Sequence, residues 1–284
     1  MKPPTPQTEM PPSTQLRKAV FGGSRQIQCL LVRLALLVIT SSAAHSATIA
    51  WTNTSGGNWS VAANWNPNQT PGAGDTADIT NNGTYTVTLD VNATVDGVIL
   101  GGASGTQTLT NGGSALTQTH ASMVKPNGNI DLGGGTLSGS GLLTVSGTLN
   151  WTAGTLSGAV TVASNGVLNL SGSASKTLSA VVTNGGTIHW SGTGYLQLYN
   201  HPSIPGNNGA IHNLAGGLFD VQNDQSLATA YGYEFFDNAG TLRKSIITAG
   251  IWTRLSAVGR SFPSIKSPSP RFAAAWNFAV PEAL

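Results

Sequence analysis

The sequence predicts an all-β fold: a parallel β-helix, or β-solenoid, of about 20-residue turns, with an N-terminal Trp-rich capping module and an irregular C-terminal tail. Three observations predict it. First, a small Gly-containing turn leading into a β-prone run recurs along the chain, as in Gly134-Gly135-Thr136-Leu137, Ala153-Gly154-Thr155-Leu156 and Asn165-Gly166-Val167-Leu168. Taken at the residue after the last Gly, the copies stand at 114, 136, 155, 167, 187, 218 and 241, with steps of 22, 19, 12, 20, 31 and 23 residues. A further copy at Gly147-Thr148-Leu149 divides the 19-residue step. Second, runs such as Leu143-Thr144-Val145 and Val167-Leu168-Asn169-Leu170 alternate apolar and polar residues, the period of a half-buried strand, and no run has the apolar spacing of a helix. Third, Gly and Asn mark the corners, where a positive φ is tolerated. Each turn is expected to supply two or three short strands paired with the turns above and below.

Composition narrows the function. Charged residues make up 8% of the 284 and Gly numbers 36, yet 39% are hydrophobic and lie in alternating runs, which argues against disorder. The formal charge of +2 hides an uneven distribution, because residues 48–244 carry four basic and nine acidic side chains. An acidic body so poor in Arg is unsuited to nucleic acid, whose phosphates need cations.

Residues 1–47 read as a long export signal. Arg17, Lys18, Arg25 and Arg33 form a basic flank, Leu34 to Thr40 is apolar, and the small residues that follow place cleavage between Ala44 and Ala47. Translation starting at Met10 would shorten this front. The apolar run is too short to serve as a stable transmembrane segment in the mature chain. Cys29, the sole cysteine, falls inside the leader, so neither a disulfide framework nor a Cys-based site is expected.

Residues 48–100 form the Trp-rich entry module. Trp51, Trp59 and Trp65 are followed by Pro71, Gly74 and Asp75, then by Ile79 and the strand-like Tyr85-Thr86-Val87-Thr88-Leu89-Asp90. A solenoid needs its first edge covered, and three Trp side chains supply apolar mass for a cap. The alternative is a carbohydrate platform, with exposed rings stacking on sugars. Pro71 and Asp75 fix a turn; Asp75 and Asp78 make too sparse a set for calcium. From Gly57 to Asp90 this segment resembles the front module of secreted bacterial β-solenoid proteins with autotransporter-passenger or adhesin-like repeats. The repeats after Gly112, including Leu218 to Gln225 and Phe236 to Lys244, extend the resemblance across most of 51–244. It implies a secreted or cell-surface scaffold, with polysaccharide or other surface glycans as partners.

Within the repeats of 101–244, Asn200 to Gly209 interrupts the rhythm and accounts for the 31-residue step. Insertions in a solenoid emerge as loops on one face, often the binding face. With Tyr195, Tyr199, His189, His201, His212 and Trp190 nearby, this is the most site-like stretch, and Tyr195 and Tyr199 join the three Trp residues as glycan-contact candidates. A plain surface loop is the simpler reading. From 245 to 284 Gly thins out, Pro and Ser cluster, and Arg254, Arg260, Lys266 and Arg271 turn the charge positive. A disordered tail and an out-of-frame or truncated stretch both fit. Val280 to Leu284 resembles the start of a Pro-Glu-Pro-type sorting tail, but lacks the apolar helix and Arg cluster that would anchor it.

Because some parallel β-helices cleave polysaccharides, carboxylate pairs matter. Glycoside hydrolysis uses two carboxyls about 5–10 Å apart, and acids one turn apart would stack at about 4.8 Å. Asp75 and Asp96 are 21 residues apart, while Asp220, Asp224, Glu234 and Asp237 form the alternative catalytic cluster. No acid lies between Asp131 and Asp220, which disfavours a central cleft. No nucleophile elbow, zinc motif or phosphate loop is found, so no metal or cofactor is expected. Asn-x-Ser/Thr triplets at Asn53, Asn58, Asn68, Asn82, Asn92, Asn150 and Asn169 are frequent enough to arise by composition. The leading expectation is an exported, non-catalytic structural or adhesin-like solenoid; a polysaccharide lyase or hydrolase and a glycan-binding module are the alternatives.

Overall fold

The computed structural model describes residues 47–245; the expected leader with its cleavage site, Cys29, and the tail beyond Ser245 lie outside them. Each turn of the chain lays short strands into three columns, and about eight turns stack as a parallel β-solenoid. The first column runs from Thr48–Trp51 through Thr76–Ile79, Gly97–Leu100, Ser122–Val124, Leu143–Val145, Val160–Val162, Val181–Asn184 and Ala210–Asn213 to Phe235–Asn238. The second begins at Gly57–Asn58 and ends at Thr241–Lys244, and the third runs from Ala93–Val95 to Leu227–Thr229. In two middle turns the second and third strands fuse, giving Gly128–Ser138 and Thr148–Leu156.

The period follows from these columns. Val167, Thr187, Leu218 and Thr241 stack in the second column, whereas Ala115, Thr136 and Thr155 stack in the third. The 12-residue step from 155 to 167 is therefore a change of column. The seven-residue offset at Thr148 has the same origin, since Thr148 pairs with Val167 of the following turn in the second column.

Alternation buries apolar residues at matching positions from turn to turn. Leu109, Ile130, Leu149, Leu168, Ile188, Phe219 and Leu242 form one interior file, and Leu116, Leu137, Leu156, Leu178 and Leu198 another, all buried. In the first column Ile79, Leu100, Val124, Val145 and Val162 give way to Asn184, Asn213 and Asn238. There the amides take over from packing: Asn184 Nδ2 donates to Asn213 Oδ1 at 2.7 Å, and Asn213 Nδ2 to Asn238 Oδ1 at 2.6 Å. A buried amide is tolerated because the next turn supplies its partner.

The corner glycines act chiefly through close approach, which corrects the expectation of positive φ at most of them. Gly154 does take φ +86, but Gly147, Gly166 and Gly186 have no positive φ. A Cβ on Gly186 would lie 2.1 Å from the Ala163 carbonyl oxygen of the preceding turn, and one on Gly166 would lie 2.0 Å from that of Val145. Backbone stacks on backbone there, and only hydrogen fits.

Residues 48–100 belong to the same columns as the later repeats, with Leu100 pairing directly with Val124. At the front, Trp65–Asn66 runs antiparallel to Thr48–Trp51 and covers the edge of the first column; all other strand pairings among the described residues are parallel. No helix among the described residues is long and apolar enough to cross a membrane.

Candidate functional site

The Trp residues at the front are buried. Trp51, Trp59 and Trp65 are at most 1% exposed, and they meet edge to face with centroids 5.0 Å (Trp51–Trp65) and 4.8 Å (Trp59–Trp65) apart. Trp65 Nε1 donates to the Trp59 carbonyl and Trp51 Nε1 to that of Asn53. Perpendicular, covered rings offer no face to a sugar, so a platform made of these three side chains is not what the fold builds.

The expected carboxylates are scattered. Asp75 and Asp96 do lie one turn apart, with the Asp96 N–H donating to the Asp75 carbonyl. Their side chains turn to different partners: Asp75 Oδ2 accepts the Gly72 N–H, closing the turn after Pro71, and Asp96 Oδ1 meets His120 Nδ1 at 2.5 Å. Asp220 sits on the outward side of the second column and Asp237 on that of the first. Asp224 follows the second column and contacts Lys244 Nζ at 2.7 Å. Glu234 lies in the bend before Phe235–Asn238. The two pairs that sequence spacing singled out therefore do not form a facing acid and base.

Asp220 belongs to a polar file that spacing alone did not expose. Asp131, Asn150, Asn169, His189, Asp220 and Arg243 stack one per turn on the outside of the second column. Asn150 Nδ2 donates to Asp131 Oδ1, and Asn169 Nδ2 donates to Asn150 Oδ1, both at 2.8 Å. These two amides of the Asn-x-Ser/Thr set thus hold turns together. Asp220 itself is fully covered and accepts from Arg243, Gln222 and Ser245, with His189 Nδ1 at 3.5 Å. Burial alone would raise its pKa, but the donors, Arg243 foremost, outweigh that and hold it well below the usual carboxylate range.

A different neighbourhood gathers exposed chemistry: the corner between the third and first columns in the last turns. The inserted loop folds on itself, with Asn200 bridging Asn208 and the His201 N–H donating to the Asn207 carbonyl. One turn later the chain passes through Tyr231, Gly232 and Tyr233. Glu234, 1% exposed, ties the two together. Its Oε1 accepts the N–H groups of Asn200 (3.0 Å), Ala230 (3.1 Å) and Tyr231 (2.8 Å), and its Oε2 that of Gly232 (2.7 Å). Burial opposes its ionisation, yet these N–H groups win and lower its pKa.

On this brace stand the rings. His201 lies between Tyr231 and Tyr233, with centroids at 5.2 Å and 5.3 Å, and Tyr199 packs on Tyr231 at 5.9 Å. Phe235 adjoins through His212, whose Nδ1 is 3.5 Å from Asp237 Oδ2. Tyr231, Tyr233 and Phe235 are 42%, 54% and 39% exposed. Of the two Tyr residues expected as glycan contacts, Tyr199 belongs here. Tyr195 precedes Leu196–Leu198 and stands at the opposite corner. Sequence reasoning passed over Tyr231 and Tyr233, and weighed Glu234 only as an alternative catalytic acid. The signal was the 31-residue step itself, which sets Asn200 one turn below Tyr231. Among the described residues, no group of three His, Cys, Asp or Glu side chains is arranged to hold a metal ion.

Comparison with family profiles, curated proteins and solved structures finds no match to this chain.

Proposed function

We propose that this chain is an exported, non-catalytic β-solenoid of the structural or adhesin-like kind, built to stand at the cell surface or in the extracellular space like the secreted bacterial solenoids it resembles. One observation carries the reading. The two most buried carboxylates of the alternative catalytic cluster, Asp220 and Glu234, are saturated with donors, and each takes at least one from a neighbouring turn: Arg243 and Ser245 for Asp220, Asn200 for Glu234. A general acid for glycoside cleavage needs a raised pKa and a free proton to give. These two have lowered values and act as ties between turns. The polar side chains of the outer files, including Asn150 and Asn169, bind turn to turn in the same way, which supports a mechanical rather than a chemical role.

The test is product release. The purified full-length chain, shown to be folded by its far-ultraviolet spectrum, is incubated with plant, algal and bacterial polysaccharides. No increase in reducing ends or unsaturated products is expected. Release that Asp220→Ala or Asp237→Ala abolishes would replace this reading with a lyase or hydrolase. Export is checked separately, by following the chain in periplasmic, surface and medium fractions of an expressing Gram-negative host; retention in the cytoplasm would count against it.

A further inference from the structure

We infer that the corner formed by Tyr199, His201, Tyr231 and Tyr233 is a binding site for a neutral saccharide chain. This deepens the scaffold reading by naming what the scaffold holds, and it rests on that reading only in taking the corner to bind without cleaving.

Three of the four large aromatic side chains exposed among the described residues, Tyr231, Tyr233 and Phe235, collect at this corner, and Ile204 on the facing loop is 39% exposed. Elsewhere the outward positions are mostly Thr, Ser and Asn. Keeping aromatic faces in water is unfavourable, and a cluster of them marks a contact site. The corner is also held in shape. Glu234 fixes the backbone of both loops from beneath, so the rings need little ordering when a partner arrives, and Tyr loses little entropy on immobilisation.

Charge decides the class of partner. No Lys or Arg occurs between Lys176 and Arg243. Glu234 is buried and saturated, and Asp237 faces His212. An anionic ligand, whether nucleic acid, a uronic acid polymer or an acidic membrane, would find no cation here. Size counts against a protein partner, because a stable interface needs roughly 800 Å² a side. A few exposed rings on a single corner make a smaller mark. A sugar ring has the matching character: an apolar face of C–H groups that lies on an aromatic ring, and a rim of hydroxyls. The phenol oxygens and the imidazole supply hydrogen-bonding groups at the edges of the same rings. His201 Nδ1 already accepts the Ser203 N–H, which leaves Nε2 as the ring nitrogen for a hydroxyl.

The test is titration calorimetry of the full chain with cellohexaose, xylohexaose, laminarihexaose and mannohexaose, and with an oligogalacturonate as the charged counterpart. At least one neutral oligosaccharide should bind, and the Tyr231→Ala/Tyr233→Ala double variant should weaken it tenfold or more. Tyr195→Ala, at the opposite corner, should leave affinity unchanged. Both Tyr residues are exposed, so the double variant should keep the parent melting midpoint. If it does not, saturation-transfer difference spectra of the unaltered chain, with tyrosine and histidine ring protons assigned, decide whether the sugar touches this corner. Binding of none of the neutral oligosaccharides, binding of the charged one alone, or binding indifferent to the double variant would overturn the inference. Cleavage of a bound sugar would instead overturn the non-catalytic reading and leave the site standing.

Discussion

Asp220 and Arg243 stand one above the other on the outside of the second column, and the guanidinium grips the carboxylate at two points, Nε to Oδ1 at 3.1 Å and Nη2 to Oδ2 at 2.8 Å. The carboxylate is fully covered while the Arg side chain is 40% exposed, so the charge that needs a partner is the acid. Arg243→Ala should therefore destabilise the last turns by about 1.5–3 kcal/mol, the range for hydrogen bonds to a charged group. Arg243→Lys should recover only part of this, because an ammonium cannot reproduce the two-point fork. Urea denaturation midpoints check both.

Acid should loosen the stack from the same place. Asp220 and Glu234 have folded-state pKa values below their ordinary values of about 4. A depressed carboxylate contributes stability that is fully present above the unfolded value and is lost as pH falls from there through the folded value. Stability should thus be level from pH 7 to about 5 and fall steeply below about 4. Asp220→Asn and Glu234→Gln should each flatten that fall while lowering stability at neutral pH. Thermal melting from pH 7 to pH 2.5 measures the slope, and an unchanged slope in both variants would sink the assignment.

The corner glycines should separate into two classes. Gly186→Ala places a methyl 2.1 Å from the Ala163 carbonyl oxygen, a backbone atom that cannot swing aside. The cost should match or exceed the roughly 1–3 kcal/mol of an overpacked core. Gly112 has open space around its missing Cβ and no positive φ. Gly112→Ala should be neutral or stabilising, by up to about 1 kcal/mol through the unfolded chain. Paired denaturation curves would reveal the contrast.

Asn213 links two turns and a corner. Its Nδ2 donates to Asn238 Oδ1 and lies 3.1 Å from the Thr241 carbonyl, while its Oδ1 receives Asn184. Asn184 Nδ2 keeps the Leu218 carbonyl as an acceptor, so the groups orphaned by Asn213→Ala lie mainly above it. The expected loss is about 1–3 kcal/mol. Hydrogen exchange should quicken in Phe235–Asn238 and Thr241–Lys244 before it changes in Leu143–Val145.

Much of this fold could be read from residue order, because a solenoid repeats one local rule. Leu143–Val145 and Val167–Leu170 are strands where alternation placed them. The turn markers were recognised, but their reason was not: a positive φ is a property of one residue, whereas the crowding at Gly186 comes from Ala163, a full turn away. Column membership was hidden for the same cause, since the 12-residue step looks like an irregular repeat until three columns are known. Glu234 was visible as an acid but not as a brace. Its partners are main-chain N–H groups, which any residue carries and no spacing marks. Tyr199 was singled out by its place beside the insertion, whereas Tyr231 and Tyr233 join it only because the wide turn brings 31 later residues round to the same corner.

The strand Trp65–Asn66 gives the stack a direction of growth. Parallel turns from Thr76 onward meet only the turn before and the turn after, so a duplicated stretch of one full period could slot between two of them and find the same pairing on each side. A duplication ahead of Thr48 would meet a strand running the opposite way, with Trp65 already in register with Trp51. Descendants of this sequence should therefore differ in length by whole turns inserted behind the Trp cluster, and a partial duplication should be expelled sideways as a loop, as at Asn200 to Gly209.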